Sequence, residues 1–134
     1  MSLDPIKVAD TCSWFRKARD DIRAAELLMS GPLVDEVSFH CQQSVEKCLK
    51  GFRFWHGLPF RNIHDLNLLS QDCIAIDPSL HSVLTATASL TPYAVEYRYP
   101  GPLVHPTEEE ARDLINLAKK IDAEITGRLP FSVT

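Results

Sequence analysis

The chain has 134 residues, 45% of them apolar and 24% charged, a composition that argues for one globular domain over residues 1–134 and against intrinsic disorder. Fourteen basic side chains against 18 acidic ones leave a formal charge of −4. That excludes a polybasic coat for nucleic acid or anionic lipid, though not a local phosphate site. No apolar run approaches the ~20 residues of a membrane span, and the start of the chain has no basic segment followed by an apolar stretch, so no signal peptide and no membrane are expected.

The apolar spacing predicts helix almost throughout. A first helix is expected over about Thr11 to Met29, where Trp14, Ala18, Ile22, Ala25 and Leu28 share one face. Gly31-Pro32 ends it. A second helix is expected from about Leu33 to His56, with Val34, Val37, Cys41, Val45, Cys48, Leu49, Phe52 and Trp55 as its apolar stripe and Gly57-Leu58-Pro59 as its stop. A shorter helix follows from Asp65 or Leu66 to about Cys73. Asp77-Pro78 then supplies an N-cap with proline at the first helical position, opening a helix whose apolar side is Leu80, Val83, Leu84, Thr87, Ala88 and Leu90. Thr91-Pro92 interrupts it, Tyr93 to Arg98 resumes as helix, and Tyr99-Pro100-Gly101-Pro102 breaks. Thr107 and Glu110 form a capping box for a last helix that runs to about Arg128, burying Leu114, Ile115, Ala118, Ile121 and Ile125. No segment alternates with period two. The expectation is an all-α fold: an antiparallel, up-and-down bundle of four or five helices with no sheet.

Cys12, Cys41, Cys48 and Cys73 form no C-x-x-C pair. Cys41 and Cys48 on one helix stand about 10 Å apart along its axis, too far for a disulfide. They read as small buried residues in a reducing cytoplasm. His40, His56 and His81 have no metal-ligand spacing, and Glu108-Glu109-Glu110 complements a helix dipole. No metal and no cofactor are expected.

Three features bear on chemistry. Gln43, Glu46, Lys47 and Lys50 recur at three- and four-residue steps and share a polar face. That face is either solvated, with Glu46–Lys50 an i,i+4 pair worth ~0.2–0.5 kcal/mol, or it faces a groove or partner where Gln43 and Lys47 hold a phosphate or base edge. His64-Asp65 stands at a helix start, where Asp65 or Asn62 can cap and His64 can be packed and hydrogen-bonded or catalytic. Arg98 and His105 are separated by six residues. A guanidinium can hold and neutralise a phosphate, and an imidazole can move a proton near neutral pH. Together they suffice for metal-free attack of a ribose 2′-hydroxyl on its own phosphate. Otherwise Arg98 pairs with a carboxylate such as Glu96, and His105 is an exposed loop residue.

Phe39 to Lys50, with its Gln-Gln-x-x-Glu-Lys-x-x-Lys run, then His64-Asp65-Leu66, then Tyr93 through Arg98-Tyr99-Pro100, then the helix opened by Thr107, resemble the HEPN domain family over about Thr11 to Ile125. The resemblance implies a bundle of four or five helices that usually forms a homodimer. Many members are metal-independent endoribonucleases, while others bind nucleotides or are non-catalytic. Several are encoded beside a minimal nucleotidyltransferase as a toxin–antitoxin pair. The family's motif of arginine, four to six residues and histidine, brought together across the dimer, falls here on Arg98 and His105. Gln43, Lys47, Lys50 and His64 are the candidate RNA- or nucleotide-binding residues. Tyr99 follows the arginine where active members carry Asn, Asp or His, and Pro100, Gly101 and Pro102 place His105 on a loop. The sequence therefore leaves two functions open. One is an RNA-cleaving toxin using Arg98 and His105. The other is a non-catalytic module, with a degenerate motif, that binds a nucleotide or a nucleotidyltransferase.

Overall fold

The structure, a computed structural model, describes residues 2–90 and 105–133. The expected break at Thr91-Pro92, the helix over Tyr93 to Arg98, and Arg98 itself lie outside the described residues. Helix α1 spans Pro5–Leu28, α2 Val34–Trp55 and α3 Leu66–Ile76. A composite segment follows: a 3₁₀ turn at Pro78–Leu80, α4 at His81–Leu84, and a second 3₁₀ stretch at Thr85–Ser89. Helix α5 spans Glu108–Thr126. No strand occurs among the described residues.

The central helix is α2, which packs against α1, α3 and α5. The cross-contacts fix the directions. Trp14 and Phe15 meet Gly51, whereas Asp21, further along α1, meets Lys47 and His40, so α1 and α2 run antiparallel. Arg53 reaches Asp72 while the earlier Leu49 accepts from Cys73, so α3 is antiparallel to α2. Arg19 reaches Asp122 and Glu26 reaches Lys119, so α5 is antiparallel to α1. The four long helices form the expected up-and-down bundle.

Three boundaries or faces differ from the sequence reading. Helix α1 begins at Pro5 rather than Thr11, because Asp4 caps it: its carboxylate accepts from the Ile6 amide at 3.0 Å, and proline occupies the first turn. Its buried stripe is Thr11, Phe15, Ala18, Ile22 and Ala25, with Phe15 fully buried and Trp14 half-buried at the edge. The segment after Asp77 is not one α-helix. Threonine hydroxyls turn back on the chain there, Thr85 onto the Ser82 carbonyl at 3.0 Å and Thr87 onto Leu84 at 2.8 Å, which competes with regular helix.

The core joins Phe15, Phe52, Leu49, Leu66, Leu69, Leu80, Leu84, Ile121 and Ile125 across all these elements. The C-terminal tail folds back on it. Leu129 is buried, Phe131 meets Trp55 edge-on at 4.8 Å between ring centroids, and Arg19 donates to the Val133 carbonyl at 3.1 Å. All four cysteines are free and buried. Burial pushes the Cys41 and Cys73 thiols up to about 12, and that of Cys48 well above its usual value.

Candidate functional site

Asp35, Gln42, Glu46 and Arg53 are seven, four and seven residues apart on α2. At 100° per residue they fall within about 40° of one another, so they form one line along the helix. Partners from later in the chain converge on three of them, His105 on Asp35, His64 on Glu46 and Asp72 on Arg53, and Lys50 of α2 itself joins His64 on Glu46.

The expected loop position of His105 is observed, two residues ahead of the N-cap Thr107. The capping box of α5 holds the adjoining chain: the Glu110 amide donates to the Thr107 hydroxyl, and the Thr107 amide to the Glu110 carboxylate, each at 3.0 Å. Its ring is held separately, with Nδ1 at 2.7 and 2.8 Å from the Asp35 carboxylate oxygens. A carboxylate can only accept, so a neutral His105 donates from Nδ1. That leaves Nε2 as the nitrogen able to take or deliver a proton. Half of the His105 side chain, 51%, is in solvent.

The same arrangement recurs at His64. Its Nδ1 lies 3.0 and 3.1 Å from the two Glu46 oxygens, and 56% of the side chain is exposed. Glu46 is itself buried and also accepts from Lys50 Nζ at 3.0 Å and Gln42 Nε2 at 3.2 Å. Asp65 caps α3 as expected, accepting from the Asn67 and Leu68 amides. His40 makes a third such pair, with Nδ1 at 2.8 Å from Asp21, whose other oxygen accepts from Lys47. Eleven residues of helix put Asp35 and Glu46, and so the anchors of His105 and His64, about 16 Å apart along the axis.

The polar face of α2 is therefore not a solvated one. Glu46 and Lys50 are buried, because the 57–65 loop and α3 cover that side. Gln43 is half-buried and donates to Gln42 Oε1 at 2.7 Å. Lys50 and His64 meet on one carboxylate, while Lys47 is drawn to α1. Arg98 lies outside the described residues, so its distance from His105 does not enter. The Glu46–Lys50 pair expected from spacing is observed, whereas the hold of Glu46 on His64 and the roles of Asp35 and Asp21 are absent from the sequence reading. For Asp35 the usable signal is its register with Glu46, eleven residues on. For Asp21 no local signal exists, since its partners belong to another helix.

Among the described residues no group of three or more His, Cys, Asp or Glu side chains could hold a metal ion, and no helix is long and apolar enough to cross a membrane. The fold is similar to that of TT1696 from Thermus thermophilus, at 23% identity and a TM-score of 0.78, covering 89% of this chain and 98% of that one. It is also similar to ST0689, an archaeal HEPN homologue, at 26% identity and a TM-score of 0.71, covering 88% of this chain and 96% of that one. Comparison with curated proteins finds no match. The HEPN domain family matches residues 12–126, which takes in α2, His64, the 91–104 segment, His105 and the whole of α5. The chain belongs to the HEPN domain family.

Proposed function

We propose that this domain acts on RNA as a metal-independent endoribonuclease, with His105 moving the proton and Arg98 holding the phosphate. The observation that carries the reading is the Asp35–His105 pair. A loop histidine is a poor catalyst if its ring wanders, because positioning supplies much of the rate. Here a carboxylate from the bundle's central helix fixes the ring and its tautomer and leaves Nε2 to work. In the reaction, Nε2 takes the proton of a ribose 2′-hydroxyl, whose oxygen attacks the adjacent phosphorus. The 5′-oxygen of the next nucleotide leaves and takes a proton from water, the proton on Nε2 returns to solvent, and a 2′,3′-cyclic phosphate remains. The guanidinium of Arg98 neutralises the charge gathering on the non-bridging oxygens. Family resemblance supports a homodimer in which two copies bring these groups together. The buried free thiols fit a reducing compartment, the cytoplasm.

The test is incubation of purified protein with RNA in EDTA. Wild type is expected to yield cyclic-phosphate ends, and Arg98→Ala and His105→Ala to yield none. Intact RNA with wild type, or equal cleavage by both variants, overturns the reading.

One observation favours a second function, a non-catalytic module for a nucleotide or a nucleotidyltransferase partner. Gln43, Lys47, Lys50 and Phe54 step along one line of α2 at i, i+4, i+7 and i+11, with His64 beside Lys50 through Glu46. On that reading a nucleotide raises the melting temperature and Lys47→Ala removes the rise. No shift with any nucleotide, and no co-purifying partner, counts against it.

A further inference from the structure

We propose that Trp14, Phe54 and Phe60 form a stacking platform for the bases of single-stranded RNA, with Lys17 and Arg61 beside them following the phosphates. The inference rests on the RNA-directed reading above and adds a subsite to it.

Two small hollows share Trp14. One, about 190 Å³, lies along α1 between Asp10, Ser13, Trp14 and Lys17. The other, about 40 Å³, lies among Trp14, Lys50, Arg53, Phe54, Leu58 and Phe60. The aromatic surface between them is open: Phe60 is 67% exposed on the 57–65 loop and Phe54 is 36% exposed on the last turns of α2. A phenylalanine that exposed forgoes most of its burial energy. Lys50 Nζ stands 5.6 Å from the Phe60 ring centroid.

Charge decides what fits the surface. Lys50 and Arg53 line it but are buried and paired with Glu46 and Asp72, so the cations that reach solvent are Lys17, which shares the first hollow with Asp10, and Arg61, next to Phe60 in sequence. Asp72 serves both Arg53 and Arg61, at 2.9 and 3.0 Å, so one positive charge of that trio is uncompensated. The patch thus carries a cationic surplus on a chain whose formal charge is −4. Protein–protein interface cores are depleted in charge, whereas sites for single strands pair aromatic faces with cations along the backbone. The patch adjoins Lys50, which shares Glu46 with His64. It therefore sits beside the line of α2 that leads to His105, and one strand of several nucleotides could touch both.

The test is fluorescence anisotropy with a labelled oligouridylate, using His105→Ala as the background so that the probe stays intact. Adding Phe60→Ala is expected to weaken binding about tenfold, and Phe60→Trp to restore it, with circular dichroism unchanged. Equal affinity for Phe60→Ala and its background overturns the platform. A drop from dimer to monomer in light scattering, with RNA affinity unchanged, overturns it too and makes the patch an interface between copies. Cleavage separates the two ideas: an inert platform leaves RNA cutting by the unmutated chain in place, whereas failure of the parent reading shows as wild type that leaves RNA uncut.

Discussion

Glu46→Gln removes the negative charge that Lys50 and His64 share while keeping the side chain's size. Lys50 is 8% exposed and Glu46 4%, so the ammonium would be left in the interior without an anion. Breaking a buried pair in this way costs about 3–5 kcal/mol. Glutamine retains one oxygen for Lys50 to donate to, which places the expected loss at about 3 kcal/mol, out of a total of roughly 5–15 kcal/mol for a domain. A surface i,i+4 pair would lose only ~0.3–0.5 kcal/mol. Urea unfolding at neutral pH, followed by circular dichroism, resolves values this far apart. A second variant checks the cause. Glu46→Leu with Lys50→Met removes both charges, and an apolar replacement of a buried pair is often neutral or stabilising, so the double variant should recover most of the loss. A Glu46→Gln loss below about 1 kcal/mol would refute the argument that burial, rather than pairing alone, makes Glu46 structural.

Gly51→Ala should destabilise the fold by about 1–3 kcal/mol, since a Cβ there would lie 2.8 Å from the Phe15 ring and 2.9 Å from Trp14 Cβ; a melting temperature equal to wild type would contradict the close α1–α2 approach. Cys41, Cys48 and Cys73 should resist a thiol reagent in native buffer near pH 8 and react on unfolding, because burial keeps them protonated. Side-chain and backbone hydrogen bonds from Ser79 hold the Asp77 carboxyl below its ordinary 3.8. The folded state then favours the ionised form, so this contribution is complete above that pH and is lost as pH falls through the lower folded value. Asp77→Asn should flatten the acid limb of the stability–pH curve, and an unchanged limb would dismiss the cap as a contributor.

The long helices were legible because their cores repeat at helical spacing. The first turn of α1 was not, since no residue before Thr11 is buried and its only sign was the Asp4-Pro5 cap. Ala18, Ile22 and Ala25 belong to both the expected and the observed α1 stripe, but the structure has Thr11 and Phe15 in it in place of Trp14 and Leu28. Neighbouring large aromatics give periodicity nothing to separate them by. The same limit applies on α2. Spacing put Gln43, Glu46, Lys47 and Lys50 on one face, but what covers that face comes from His64 and Asp21, far away in sequence. Lys50 and His64 are candidate binding residues by sequence, but their meeting on Glu46 depends on how the loop before α3 lies over α2. The loop position of His105 could be read from Pro100, Gly101 and Pro102, but not its anchor on Asp35, 70 residues away.

The most direct measurement is the single-turnover cleavage rate of a short RNA by Asp35→Asn in EDTA. This variant keeps His105, Arg98 and the fold but removes the charge and puts an amide donor in place of one carboxylate oxygen, so the contact no longer fixes the imidazole's tautomer. The account predicts a rate at least tenfold below wild type, with unchanged unfolding. A rate equal to wild type would show that the Asp35–His105 contact has no part in moving the proton.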